Sequence, residues 1–108
     1  PNGVEAVYLP ASEVGGDLYQ AFDTPRGTLI LVGDVSGKGS SAAMTAAAIT
    51  GAARALCHHG PARILAELNS VLRSHSGFVT CCCALVEKDA LRAASAGHPA
   101  PYADGHEL

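Results

Sequence analysis

Aromatic residues make up only 5% of this 108-residue chain and tryptophan is absent. Its core must therefore be built from aliphatic side chains, alanine and cysteine. No apolar run approaches the ~20 residues that a membrane-spanning helix needs. No basic run occurs either, and 10 acids against 7 bases give a formal charge of −3. Such a balance equips a chain poorly for a phosphate backbone and argues against nucleic acid as a partner. A basic-then-apolar leader is lacking, and the chain opens on Pro1-Asn2 rather than methionine, as an excised domain would. Missing too are the CxxC pairs of a zinc site and the spaced cysteines of a secreted disulfide scaffold. Three of the four cysteines adjoin, as Cys81-Cys82-Cys83. In a strand they alternate, with Cys81 and Cys83 on one face and Cys82 on the other. They are expected to be small buried hydrophobes in a reducing cytoplasm.

What is present is a hydrophobic content of 48% and a mean hydropathy of +0.21, enough for one core and one domain over residues 1–108. The chain is organised around Gly33-Asp34-Val35-Ser36-Gly37-Lys38-Gly39. Thr28-Leu29-Ile30-Leu31-Val32 before it reads as a buried strand, and Ala42 to Ala48 after it as a helix. Asp34 is thus expected at a strand end, followed by a glycine-rich loop.

Before that stretch, Val4 to Leu9 looks like a first strand, ended by Pro10. Ala11 to Asp17 follows as a loop carrying Gly15-Gly16, then Leu18 to Phe22 as a strand. Asp23-Thr24-Pro25-Arg26-Gly27 is a turn by composition. Antiparallel pairing across it brings Asp17 and Asp34 to the same end of the sheet. Two acids converging there are what a divalent cation needs, because hard cations take oxygen ligands.

After it, a helix is expected from Ser41 to about His59, with Ser40 or Ser41 as N-cap and Gly51 as a place where another element packs closely. Gly60-Pro61 stops it and starts a second helix, Ala62 to Arg73, whose Ile64, Leu65, Leu68, Val71 and Leu72 form an amphipathic stripe. Phe78 to Val86 is apolar enough to be a central strand. Ala90 to Ser95 returns as its hairpin partner, and Asp104-Gly105 is a hairpin-turn dipeptide. Strands, two helices, then strands give an α+β or layered antiparallel architecture.

Three rival motifs fail on context. A phosphate-binding P-loop wants four residues between its first glycine and Gly-Lys-Ser/Thr, whereas Gly33 and Gly37 are closer and Gly39 replaces the hydroxyl. Cys57 to Arg63 has the spacing of a cysteine-dependent phosphatase, but Cys57 ends a helical run and Pro61 removes an N–H from the phosphate cradle. His58, His59, Glu67 and His75 invite a zinc reading, yet adjacent histidines on a helix diverge by ~100°. His98, before Pro99, reads as a structural hydrogen-bonding residue of a turn, with an acid–base role as the alternative.

Gly15-Gly16-Asp17-Leu18-Tyr19, Gly33 to Gly39 with Ala42-Ala43, Leu68-Asn69, Phe78-Val79-Thr80 and Ala96-Gly97-His98-Pro99 together resemble a known family. It is that of the bacterial PPM-type serine/threonine phosphatases of the stage II sporulation protein E class. The resemblance runs from about Leu9 to the end and keeps the family's order and spacing. It implies an α+β fold, an antiparallel β-sandwich flanked by α-helices, here incomplete at the C-terminus. It further implies a site for two Mn2+ or Mg2+ ions, with Asp34 bridging both, the Val35 carbonyl completing one shell and Asp17 serving the second. Asp34 and Asp17 would thereby be the catalytic residues, holding a water that attacks phosphorus without a phosphoenzyme.

By the same resemblance the substrate is a phosphorylated regulatory protein of the anti-sigma-factor antagonist type; the cysteine pattern gives a cytoplasmic location as the expectation. The alternative is a phosphatase-like module that regulates a partner by binding alone. Gln20 stands where the family often has a second acid. The family's later Thr-Asp-Gly-like segment, carrying a further metal ligand, is not reached by Leu108, and Asp104-Gly105 matches a hairpin turn instead. An unpaired strand edge would favour self-association, so a homodimer is among the expected states.

Overall fold

The structure, a computed structural model, describes residues 15–38, 40–72, 79–98 and 101–107. The expected strand Val4–Leu9, the first part of the expected loop Ala11 to Asp17 (residues 11–14), and His75 lie outside the described residues. Within them the order is β1 (Gly15–Thr24), β2 (Gly27–Lys38), α1 (Ser40–Leu56), α2 (Pro61–Leu72), β3 (Val79–Val86), β4 (Leu91–Ala96), β5 (Tyr102–Ala103) and β6 (His106–Glu107). The first four strands form an antiparallel sheet in the order β1-β2-β3-β4, and β5 and β6 form a separate two-stranded ribbon.

Register starts at the first hairpin. Thr24 Oγ1 accepts from the N–H groups of Arg26 and Gly27 at 3.2 Å each and donates to the Gly27 carbonyl at 2.9 Å. This clamps a two-residue loop, Pro25-Arg26, and pairs Thr24 with Gly27. Asp17 lies as many residues before Thr24 as Asp34 lies after Gly27, so the ladder places them directly opposite.

Alternation then sorts the faces. Leu18, Phe22, Leu29, Leu31, Val35, Cys81, Cys83 and Leu85 point to one side and are buried with Ile49 and Ala53 of α1 and Ile64 and Leu68 of α2. Leu29, Leu31, Ile64 and Cys83 lose all access to water, each apolar side chain contributing roughly 1.5–3 kcal/mol. α1 packs on β1 and β2, and α2 on β3 and β4. The guanidinium of Arg54 rests 4.6 Å from the Phe22 ring centre, a cation–π contact that closes the core's rim. The other face carries Tyr19, Val32, Val86 and Leu91, all exposed, an apolar surface of the kind that a second sheet covers in a sandwich.

The cysteine run behaves as alternation requires: Cys81 and Cys83 join the core, while Cys82 is buried outside that cluster. β3 is central, between β2 and β4. Asp104 and Gly105 have φ of 52° and 81°, the left-handed pair of a two-residue hairpin turn, and join β5 to β6.

Three local expectations need correction. Gly33 to Lys38 is strand, not loop, because β3 pairs with β2 through Val35; the glycine excess is taken up where the β1–β2 register jumps from Gly16↔Val35 to Gly15↔Lys38. α1 stops at Leu56 rather than His59. The residue before a proline is pushed out of the helical region, and the chain turns through a bond from the His59 N–H to the Leu56 carbonyl at 2.9 Å. Gly51 packs against nothing: a Cβ there would meet no atom within 4 Å.

Candidate functional site

Asp17, Asp34 and Thr80 occupy one row across β1, β2 and β3, Asp34 being paired with Asp17 on one side and Thr80 on the other. Directly paired residues share a face, so all three stand on the side away from the helices. The Asp34 carboxyl is held above its ordinary pKa. Partial withdrawal from water leads the causes, followed by the neighbouring Asp17 side chain and its negative charge, while the charge of His98 pulls the other way. Asp34 is nonetheless an exposed residue, so the pairing with Asp17 is the contribution that the geometry accounts for.

Close approach fixes the row. A Cβ on Gly33 would come 2.8 Å from the Thr80 carbonyl oxygen, so only glycine lets β3 lie this near beside Asp34. Val35, the third residue implied as a ligand, is buried in the core. Its backbone sits where pairing with β1 lapses at the register jump.

His98 completes the row from a different direction. Thr80 Oγ1 and His98 Nδ1 share a hydrogen bond at 3.2 Å. The backbone under His98 is anchored twice: Ser95 Oγ donates to the His98 carbonyl at 2.7 Å, and Gly97 bridges to Cys81. Gly97 has φ of 70°, a conformation open to glycine at little cost. Thr80 was not given a role from the sequence; a polar residue at the mouth of an apolar central strand was the available signal.

The rejected motifs stay apart from this row. Cys57 follows α1, not a strand. His58 and His59 lie beyond the helix end with ring centres 4.0 Å apart and planes tilted by 40°, closer than helical geometry would have put them. Among the described residues no three His, Cys, Asp or Glu side chains are placed to share one metal ion. Beside Asp17, a groove of about 280 Å³ runs between β1 and α1, lined by Tyr19, Gln20, Ala46 and Thr50 among others.

The sheet, its paired helices and their order define a class. The fold matches the RsbU and RsbW domains of Rv1364c from Mycobacterium tuberculosis with a TM-score of 0.73 and 24% identity, over 81% of this chain and 27% of that one. It also matches the SiaA-PP2C domain of Pseudomonas aeruginosa with a TM-score of 0.57 and 32% identity, over 69% of this chain and 33% of that one. The chain thus spans about a quarter to a third of the length of these solved structures. More narrowly, the family model of Stage II sporulation protein E matches residues 24–104. The chain belongs to that family. The matched range includes Asp34, Val35, Thr80 and His98; Asp17 lies before it and joins the site through strand register. Among curated proteins none matches the chain.

Proposed function

We propose that this domain is a metal-dependent phosphatase that removes phosphate from phosphoserine or phosphothreonine of a regulatory protein, of the anti-sigma-factor antagonist type. The observation that carries the reading is the pairing of Asp17 with Asp34 at one place on the sheet. Two carboxylates facing one another on one sheet face, with the proton affinity of Asp34 raised, are a donor set that fits a hard divalent cation, which takes oxygen ligands and relieves their mutual repulsion. In this reading Asp34, central in the row, would be shared by two ions, Asp17 would hold one of them, and the Val35 carbonyl would complete a shell. Mn2+ or Mg2+ ions held there would supply charge neutralisation for the phosphoryl group and an acidified water for in-line attack.

The chain's own residues do the rest. Asp17 and Asp34 fix the reacting centre on a rigid sheet, and the groove beside β1 offers room for residues flanking the phosphorylated side chain. A covalent route through the buried thiols is closed, because burial pushes Cys81 and Cys83 up to about 12 and keeps them protonated. The described cysteines are all free, which suits a reducing cytoplasm. Among the described residues no helix is long and apolar enough to cross a membrane.

The test is phosphate release from a phosphoserine-bearing regulatory protein by the full-length protein. Release that requires Mn2+ or Mg2+, stops with chelator and is lost in Asp34→Ala supports the reading. Tight binding of the phosphoprotein without release would favour a regulator that acts by binding alone.

A further inference from the structure

Among the described residues His98 is a titratable side chain that the structure brings to the acid pair without grouping it with them as a metal ligand. It stands past Thr80 in the row, close enough for its charge to act on Asp34. Yet among the described residues no third His or acid joins Asp17 and Asp34 around one ion. Its Nδ1 is engaged by Thr80, which orients the ring and leaves Nε2 as the imidazole's other polar atom. Two contacts hold the backbone beneath it, the Ser95 bond and the bridge from Gly97, whose positive φ turns the chain there. The Ser95 bond and the bridge already close the turn through the backbone of His98 and Gly97, so the turn does not need the imidazole.

From this we infer that His98 is a substrate-binding residue of the site, its Nε2 donating a hydrogen bond to an oxygen of the phosphoryl group poised over Asp17 and Asp34. The inference rests on the phosphatase reading. An anion brought up to two carboxylates needs donors besides the cations, and the imidazole at the end of the row supplies one. No covalent step is involved; the ring binds and orients.

Two substitutions separate the ring's nitrogens. Asparagine carries its amide where Nδ1 stood and can keep the Thr80 bond, whereas glutamine reaches where Nε2 stood. Calorimetry of inorganic phosphate binding to the full-length Mn2+-loaded protein should show His98→Asn weakened about tenfold or more, the usual loss for a bond to a charged group. His98→Gln should lose less, and Mn2+ affinity should be unchanged in both. In the unaltered protein loaded with diamagnetic Mg2+, phosphate should shift the His98 Nε2 resonance in long-range 1H–15N spectra, a readout that needs no variant to fold.

Wild-type phosphate affinity in His98→Asn overturns the inference. So does a larger loss in His98→Gln than in His98→Asn, which would make Nδ1 and scaffolding the whole of its role, and so does an Nε2 resonance indifferent to phosphate. Tight Mn2+ binding with phosphate affinity insensitive to His98 defeats the inference alone. Failure of the wild-type protein to bind Mn2+ defeats the phosphatase reading and the inference with it.

Discussion

Asp17 and Asp34 face one another across the β1–β2 ladder, and the charge of Asp17 helps to hold the Asp34 carboxyl above its ordinary pKa. Like charges directly opposite on one sheet face cost about 0.2–1 kcal/mol. Asp17→Asn should therefore raise the melting temperature of the metal-free protein, by roughly 1–5 °C for a domain of this size. It should also remove the stabilisation given by Mn2+. Thermal melts with and without the ion check both; a lower metal-free melting temperature would show that the pair is not repulsive.

The pH dependence follows from the same pair. The folded state holds the Asp34 proton more tightly than the unfolded chain, whose value is the ordinary 3.8. Its contribution to metal-free stability is fully present below that value and is lost as pH rises through the raised one. Stability measured over this acidic range should fall with rising pH at this site, and that component should shrink in Asp17→Asn.

Accessible thiol chemistry should be confined to Cys57. Cys81 and Cys83 are buried and pushed up to about 12, so near pH 8 an Ellman-type titration of the native protein should count Cys57 and find the three adjacent thiols slow until denaturant is added. Cys57→Ser should leave phosphate release intact. Rapid native reaction of Cys83 would contradict its burial.

The glycine in α1 is predicted to be dispensable. Gly51 is exposed and its missing Cβ would touch nothing, so Gly51→Ala should stabilise the protein by about 0.4–1 kcal/mol. Urea denaturation measures this, and a loss of stability would reveal an element packed on that side of α1.

The pairing of the two candidate acids was legible because its geometry is local. Thr24-Pro25-Arg26-Gly27 fixes a short hairpin, and counting outward from it pairs Asp17 with Asp34. The alternation of Cys81, Cys82 and Cys83 followed from strand period alone. Where the reading went astray, partners distant in the chain decided. Gly33 to Lys38 became strand because β3 pairs with it, and the glycine content there reads equally well as a loop. The bond between Thr80 and His98 depends on the Gly97 bridge to Cys81 and on β4 returning beside β3, which no local pattern around His98 announces. The end of α1 at Leu56 has a different cause: the run to His59 is helical in composition, but Gly60-Pro61 acts backwards on the residues before it.

Asp104 supplies a control. Its φ of 52° beside Gly105 makes it a turn residue, and asparagine tolerates that conformation equally well. Asp104→Asn should leave both the ribbon and Mn2+ affinity as they are; a marked fall in Mn2+ affinity would move Asp104 into the site.

The central claim is that Asp34 is the ligand shared by two ions, with Asp17 beside it. Mn2+ titration calorimetry on the full-length protein and on Asp34→Ala addresses it directly. The account predicts two bound ions in the wild-type protein and the loss of tight binding of both in the variant. Two ions bound by Asp34→Ala with wild-type affinity would contradict it.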